Sequence, residues 1–219
     1  MRLLFLMISI VLLHFNTSGQ STKMKPGFSK IEYSELLKIS TRQSDSLYNK
    51  ELPAPEKFSR VYRSKVVGLD NRWELWNSKD SIAAISIRGT TLKLESWVEN
   101  FFAAMLPATG ILHLNDSQIY NYHLSNDKRA SVHAGWLIGA LCLFEDIVPK
   151  IDSCLNNGTN DFYIIGHSQG GAISYLLTSM LHDLKRKNIK YKNLTIKTYA
   201  SASPKPGNLY YAYDYEALT

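Results

Sequence analysis

The sequence predicts one domain of the α/β class, with a mostly parallel sheet and helices on both faces. The 219-residue chain is 45% hydrophobic, which is enough for a substantial core. Short apolar runs at residues 82–87, 161–165 and 194–199 have the length and bulk of buried strands. Residues 132–148 and 173–184 have the apolar spacing of helices. Strands that alternate with helices in this way are typical of a parallel sheet.

The most informative stretch connects the run at 161–165 to the helix that follows it. Gly166-His167-Ser168-Gln169-Gly170 has the form Gly-x-Ser-x-Gly between a predicted strand and a predicted helix. So tight a turn leaves no room for a Cβ atom at position 166 or 170. It is expected to hold the Ser168 hydroxyl above the sheet, at a helix N-terminus that favours negative charge. Ser168 is therefore predicted to be a catalytic nucleophile, and His167 receives no role.

The sequence Gly-His-Ser-Gln-Gly-Gly resembles the form of this turn in class 3 lipases, the branch of the α/β-hydrolases that includes the fungal lipases. Three further motifs resemble that family in the same order: Arg88-Gly89-Thr90, Val132-His133-Ala-Gly135-Trp136, and the loop at 200–208, with Pro206 in place of an aliphatic residue. The resemblance covers about residues 82 to 210. It implies an α/β-hydrolase fold and hydrolysis of carboxylic esters, above all of lipids.

The resemblance also implies that Thr90 donates its N–H, and often its hydroxyl, to the oxyanion. Physical reasoning supports this placement, because hydrolysis by a serine needs at least two donors around the developing negative charge. The N–H of Gln169 is one, and the other comes from a loop after an earlier strand, where Thr90 lies. His133 precedes Ser168, whereas the hydrolase order is Ser, acid, His. We therefore predict a structural role for His133.

An acid and a base in the expected order are not found after Ser168. His182 lies 14 residues along the predicted helix, and therefore about 21 Å away. Asp183 lies beside it, and Asp214 comes before the strand that would hold the family's acid. We predict that the catalytic Asp and His are absent from this chain, that the domain is incomplete at its C-terminus, and that the 219-residue chain alone is inactive. If it proves active, the base is to be sought among His113 and His123, which are predicted to lie in loops, and His133.

The N-terminal region is predicted to contain a signal and a helical layer. Residues 1–19 begin with Met1-Arg2 and continue with an apolar run, which is typical of a secretory signal. A run of about 13 apolar residues is shorter than the ~20 that span a bilayer. We therefore predict a secreted or periplasmic protein. Residues 20–60 would form the helical layer, in which Ser29 and Glu32 open a helix that ends near Ser44. Residues 61–219 would form the hydrolase domain.

The region before and after Thr90 leaves two alternatives open. Strands predicted at 61–67 and 73–76 precede the one at 82–87, so the sheet begins antiparallel. Residues 96–106 are predicted to form a helix with an apolar end, and residues 107–114 an apolar loop. The resembled family has its lid in this region. These apolar residues therefore form either a lid and acyl-pocket wall or part of the core.

The charge pattern and the cysteine positions limit which partners and which disulfides are predicted. The net charge is +6, and residues 185–197 contain basic residues without an acidic one. A solvated helix end and contact with an anionic lipid surface both explain this run. Nucleic acid is not predicted, because no recognition module surrounds it. Cys142 and Cys154 are about 18 Å apart on a continuous helix, too far for a disulfide, so two free thiols are expected.

We therefore predict a serine hydrolase that cleaves lipid esters through an acyl-enzyme. No metal or organic cofactor is predicted, because no cluster of residues has ligand spacing. A short-chain carboxylesterase and a phospholipase would share every motif. A non-catalytic protein that binds acyl ligands is the alternative of another class. The sequence predicts an ester substrate and leaves the oligomeric state open.

Overall fold

A computed structural model describes residues 23–43 and 51–219. The predicted signal at 1–19 lies outside these residues. The elements in chain order are α1 (Lys30–Thr41), β1 (Phe58–Arg63), β2 (Trp73–Ser78), β3 (Ile82–Ile87), α2 (Leu94–Phe101), β4 (Met105–Pro107), β5 (Thr109–His113), β6 (Ile119–His123), β7 (Ser131–His133), α3 (Ala134–Asn156), β8 (Asp161–His167), α4 (Gln169–Lys187), a 3₁₀ turn at Ile189–Tyr191, β9 (Thr195–Ser201) and α5 (Leu209–Leu218). Within the described ranges, no helix is both long and apolar enough to span a membrane.

The central sheet has five strands in the order β1-β2-β3-β8-β9. β1, β2 and β3 pair antiparallel, and β3, β8 and β9 pair parallel, so the predicted antiparallel beginning is confirmed. The position predicted for the first strand was wrong. Residues 58–63 form β1, whereas Val67 forms an isolated bridge to Asn71 in the connection to β2. The β-branched residues at 66 and 67 suggested a strand where the chain makes a local turn.

Alternating side chains on the strands build two separate cores. Ile85 and Ile164 belong to the larger core, which the sheet forms with α3 and α4. Ala84, Tyr163 and Ile165 face the opposite way and pack in a smaller core with α1. Successive strand residues point to opposite faces, so strands buried on both sides must be apolar throughout. The predicted α/β class with helices on both faces is therefore confirmed.

Helix α1 begins as the sequence predicts but ends earlier. The Ser29 hydroxyl accepts a bond from the Glu32 N–H at 3.4 Å, which is the expected N-cap. The Glu32 carboxylate does not return to Ser29; it accepts bonds from Lys197 at 2.5 Å and from the Tyr199 hydroxyl at 2.6 Å. The helix ends at Thr41, before the predicted residue Ser44. Its first turn is thus fastened directly to β9.

The apolar region after Thr90 differs from its prediction. The helix spans residues 94–101 rather than 96–106, and the predicted loop at 107–114 contains strand β5, which pairs with β6. Burial alternates along β5, so Leu112 packs against the larger core whereas Ile111 is exposed on the opposite face. The prediction that His113 and His123 lie in loops was wrong, since they end β5 and β6. His123 also has a partner, because its Nδ1 lies 3.3 Å from Asp183 Oδ1.

Helix α3 is longer than its apolar pattern predicted. It continues through Pro149 to Asn156, beyond the predicted end at residue 148. Cys142 and Cys154 both lie on it and are free thiols, as predicted.

The basic run at 185–197 is partly neutralised within the fold. Lys187 pairs with Asp183 of the same helix at 2.6 Å, and Lys190 pairs with Asp152 of α3 at 2.8 Å. Lys197 pairs with Glu32 of α1 at 2.5 Å. These pairs favour the solvated helix end over a surface for anionic lipid.

We expect Ile164→Ala to lower the free energy of unfolding by about 2–5 kcal/mol, because it opens a cavity in the larger core. Ile164 is 0% exposed, whereas Ile111, also on a strand, is 61% exposed. Ile111→Ala is the matched control and should change stability by no more than about 0.5 kcal/mol. Urea unfolding measures both variants. Equal losses would contradict the assignment of the core.

Candidate active site

The turn between β8 and α4 holds Ser168 in a strained conformation. Its φ is 55° and its ψ is −126°, values that a residue with a side chain rarely adopts. The Ser168 N–H donates to the Ser201 carbonyl at 2.9 Å, and the Ser168 carbonyl accepts from the Gly171 N–H at 2.8 Å. Bonds on both sides of the residue therefore fix its backbone. Such strain is common at catalytic residues.

Two glycines allow this turn to form. A Cβ atom on Gly166 would lie 2.0 Å from the Gly170 carbonyl oxygen. One on Gly170 would lie 2.6 Å from the carbonyl oxygen of Ile87, at the end of β3. Both distances are far below contact between non-bonded atoms, so the close approach predicted from the sequence is confirmed.

Ser168 lies partly exposed in a cleft of about 1170 Å³. The cleft brings together Ser168, the predicted nucleophile, and both predicted oxyanion residues, Thr90 and Gln169. A Cβ atom on Gly89 would lie 3.9 Å from the Ser168 Cβ, so the loop after β3 directly adjoins Ser168. Trp97 and Trp136 also line the cleft, which gives it an apolar side next to polar groups.

The side chains of Thr90 and Gln169 bond to each other. Thr90 Oγ1 donates to Gln169 Oε1 at 3.0 Å, and it accepts from Asn100 Nδ2 at 3.0 Å. Ser96 Oγ donates to the same Gln169 oxygen at 3.2 Å. In this arrangement the Thr90 hydroxyl hydrogen points at Gln169 and is not available to an oxyanion. Of the predicted oxyanion donors, this leaves the backbone N–H groups of Thr90 and Gln169.

Glu99 is the main site residue that sequence reasoning missed. Its side chain is 0% exposed, and its Oε2 accepts from Gln169 Nε2 and from Asn71 Nδ2, each at 2.8 Å. Burial, together with the nearby Asp70 carboxylate, raises the pKa of Glu99 to about 8, although the two amide hydrogen bonds lower it. Spacing could have revealed it. Ser96, Glu99 and Asn100 lie three and four residues apart, on one face of α2.

His133 connects α2 to the start of α3 beside the cleft. Its Nδ1 accepts from the Trp136 N–H at 3.3 Å and caps α3, so its Nε2 carries the proton and donates to the Asn100 carbonyl at 3.1 Å. The Trp136 ring stacks on it at 3.8 Å and donates to Asn100 Oδ1 at 3.0 Å. Burial lowers the pKa of His133. These contacts give it the structural role that the sequence predicts.

The other histidines lie away from the Ser168 hydroxyl or have other partners. His167 is exposed, and its Nδ1 lies 3.2 Å from Ser201 Oγ. His182, His123 and Asp214 line a second cavity of about 370 Å³, which Ser168 does not line. Burial lowers the pKa of His182. His113 ends β5 and does not line the Ser168 cleft. Within the described residues, no hydrogen bond joins a histidine to the Ser168 side chain.

The loop after β9 joins the site to the rest of the fold. The Pro206 carbonyl accepts from the His133 N–H at 2.8 Å. Asn208 Oδ1 accepts from the N–H groups of Ser131 at 3.2 Å and of Tyr211 at 3.1 Å, so it both fastens β7 and caps α5. The proline that departs from the family's pattern uses only its carbonyl here, which a proline retains.

Comparison with known proteins finds one matching family. A family model described as Lipase (class 3) matches residues 84–219, which is more than half of the chain. A search of curated proteins finds no match.

Solved structures of lipases have a similar fold. A triacylglycerol lipase from Penicillium expansum is 14% identical, with a TM-score of 0.58, over 85% of this chain and 64% of that one. A lipase from Rhizopus microsporus var. chinensis is 19% identical, with a TM-score of 0.56, over 87% and 64%. A triacylglycerol lipase whose catalytic centre is a serine protease triad is 16% identical, with a TM-score of 0.56, over 86% and 66%. This chain thus spans less than two thirds of each of these structures.

We expect Glu99 to make stability depend on pH. Its folded-state pKa of about 8 lies above its ordinary value of 4.5, so the folded state binds more protons between these values. The free energy of unfolding should therefore fall as pH rises from about 4.5 to about 8, by at most ~1.4 kcal/mol per pH unit. Urea unfolding across this range measures the slope.

Glu99→Gln should remove this part of the slope. Glu95→Gln is the control on the exposed side of the same helix and should retain it. A wild-type slope in Glu99→Gln would show that Glu99 does not titrate in this range.

Proposed function

Because the chain belongs to the class 3 lipase family, we propose that it acts in a secreted serine hydrolase that cleaves carboxylic esters of lipids through an acyl-enzyme at Ser168. The backbone of Ser168 is the observation that supports this most. It has a positive φ at a strand-to-helix turn, and the side chain faces an open cleft beside Thr90 and Gln169. A turn of this geometry is how an α/β-hydrolase presents its nucleophile.

The proposed reaction has two steps. Ser168 Oγ attacks the ester carbonyl carbon while a base takes its proton, and the carbonyl oxygen becomes negative. The N–H groups of Gln169 and Thr90 stabilise that charge. The alcohol then leaves with the proton, and water cleaves the acyl-enzyme in the same way to release the acid. No metal is needed for any of these steps.

We propose that the base and its carboxylate are not among the described residues of this chain. Both ring nitrogens of His133 are bonded, and His182 lies some 14 residues along α4, about 21 Å from Ser168. Asp214 Oδ2 accepts from the Asn126 N–H at 3.0 Å and faces the second cavity. The triad described for the similar lipase supports a histidine and a carboxylate for these roles.

The outer surface of α2 supports a lipid substrate. Leu92, in the loop just before α2, is 99% exposed, and Phe101, at the end of α2, is 76% exposed. Trp97 stacks on Phe101, with ring centroids 5.9 Å apart, and also lines the Ser168 cleft. Exposed apolar side chains grouped at the mouth of a cleft are typical of contact with a lipid surface. They favour an aggregated lipid over a soluble short-chain ester as the substrate. Labelling of Ser168 by a fluorophosphonate probe distinguishes either hydrolase from a protein that only binds acyl groups.

We expect Ser168→Ala to abolish labelling by a fluorophosphonate probe and to lower ester turnover by at least ~10⁴-fold, because the hydroxyl is the attacking group. Labelling and turnover are measured on the protein expressed from its complete gene. Its melting temperature should stay close to that of the wild type. Ser117→Ala, in an exposed loop, is the control and should label normally. Undiminished turnover in a folded Ser168→Ala variant would sink the assignment.

We expect the double change Trp97→Ser and Phe101→Ser to weaken activity on an emulsified triacylglycerol about tenfold more than on a dissolved short ester. The two rings bind the lipid surface in this proposal, whereas a dissolved ester does not need that contact. Ile189→Ser is the control, because Ile189 is 77% exposed on the turn after α4. Equal losses on both substrates would show that Trp97 and Phe101 contribute to the cleft and do not bind a lipid surface.

A further inference from the structure

The side chain of Gln169 lies between Thr90 and Glu99. One end of its amide is 3.0 Å from Thr90 Oγ1 and 3.2 Å from Ser96 Oγ, and the other end is 2.8 Å from Glu99 Oε2. Gln169 is also the residue whose N–H is proposed to hold the oxyanion. The amide therefore connects a buried carboxyl group to the second oxyanion residue.

An amide of this kind can be satisfied in two directions, because its oxygen and nitrogen occupy nearly equivalent positions. In the first direction, an ionised Glu99 accepts from Gln169 Nε2, and Gln169 Oε1 accepts the Thr90 hydroxyl hydrogen. In the second direction, a protonated Glu99 donates to the Gln169 oxygen. The two amide N–H groups then donate to Thr90 Oγ1 and Ser96 Oγ, which frees the Thr90 hydrogen.

We propose that Glu99 is a positioning residue of the oxyanion hole, whose proton sets the direction of the Gln169 amide and thereby frees the Thr90 hydroxyl to donate to the oxyanion. The inference rests on the proposed ester hydrolysis at Ser168. Asn100 Nδ2 donates to Thr90 Oγ1 in both directions, so the oxygen stays in place while its hydrogen changes target. The freed hydroxyl adds a third donor to the two N–H groups.

The surroundings of Glu99 favour its protonated form. The side chain is 0% exposed, and among the described residues its Oε1 has no hydrogen-bond partner. An ionised carboxylate at this position would be shielded from bulk solvent and would have no cation paired with it among the described residues. Burying a charge in this way costs free energy. In the protonated form Oε2 can donate to Gln169 while it still accepts from Asn71 at 2.8 Å.

The charged and titratable groups around Glu99 do not neutralise it. Asp70, before β2, is negative; its pKa is lowered by Thr91, Lys93 and Arg88 against a cost of burial, and its charge raises the pKa of Glu99. Lys93 and Arg88 pair with Asp70, at 3.0 and 3.1 Å. Cys142 on α3 interacts with Glu99, and burial raises the pKa of its thiol. Glu99 is thus the group of this cluster that titrates near pH 8.

The test is the pH dependence of kcat on a dissolved ester, with the protein expressed from its complete gene. The wild-type kcat should fall about 10²-fold as Glu99 ionises above pH ~8, with KM changed less than twofold, because one oxyanion donor is lost. Glu99→Gln should lack this fall, since its amide N–H can donate to Gln169 at every pH. Glu99→Ala should have about 10²-fold lower kcat across the range. An alkaline fall that persists unchanged in Glu99→Gln overturns the proposal.

The Thr90→Ala variant is the matched background in which the effect of Glu99→Gln is measured again. Thr90→Ala lacks the hydroxyl, so Glu99→Gln added to it should no longer alter the pH profile of kcat. An effect of Glu99→Gln that is equal with and without the Thr90 hydroxyl would overturn the route through Thr90.

A separate readout distinguishes this inference from the proposed function. The infrared absorption of a protonated carboxyl group, present at neutral pH and removed by Glu99→Gln, would support a neutral Glu99 whether or not esters turn over. A carboxylate at neutral pH overturns the inference even if Ser168 is an active nucleophile. Absence of Ser168-dependent turnover overturns the oxyanion role together with the proposed function.

Discussion

The close packing of β8 against the start of α4 is the constraint on which the rest of the site depends. The two elements meet where neither Gly166 nor Gly170 has space for a side chain, and Ser168 must adopt a positive φ between them. That conformation costs on the order of 1–3 kcal/mol. Ile164, Ile165 and Ile173 flank the turn and are fully buried, and each contributes about 1.5–3 kcal/mol. The surrounding core is therefore large enough to hold the strained serine in place.

The residues that the sequence reveals are those whose role depends on local geometry. Ser168 and its two glycines are recognisable because strand, turn and helix follow one another within the chain. Thr90 could be predicted as a site residue only because several motifs occur in the order found in the resembled family. The family model that matches residues 84–219 confirms that family. The structure then places Thr90 beside Gln169, at 3.0 Å between their side chains.

The features that the sequence did not reveal depend on distant pairs. Glu99 is 70 residues from Gln169 and 28 residues from Asn71, so no local pattern links the carboxyl group to its partners. The β5–β6 hairpin was missed for a related reason. Pro107 and Gly110 suggest a loop, and only the pairing of Gly110 with Tyr122 shows that this stretch is a strand. Helix spacing could have indicated the polar face of α2, but it does not show which residues that face contacts.

The two faces of α2 place a limit on how this segment can change. The inner side chains, Ser96, Glu99 and Asn100, bond to Thr90 or Gln169. The outer side chains, Trp97, Val98 and Phe101, are exposed. The two sets interleave along a helix of eight residues. Inserting or deleting a single residue would turn the helix by about 100° and exchange their positions. A substitution on the outer face therefore leaves the inner contacts in place, whereas a change in the length of the segment disrupts both sets.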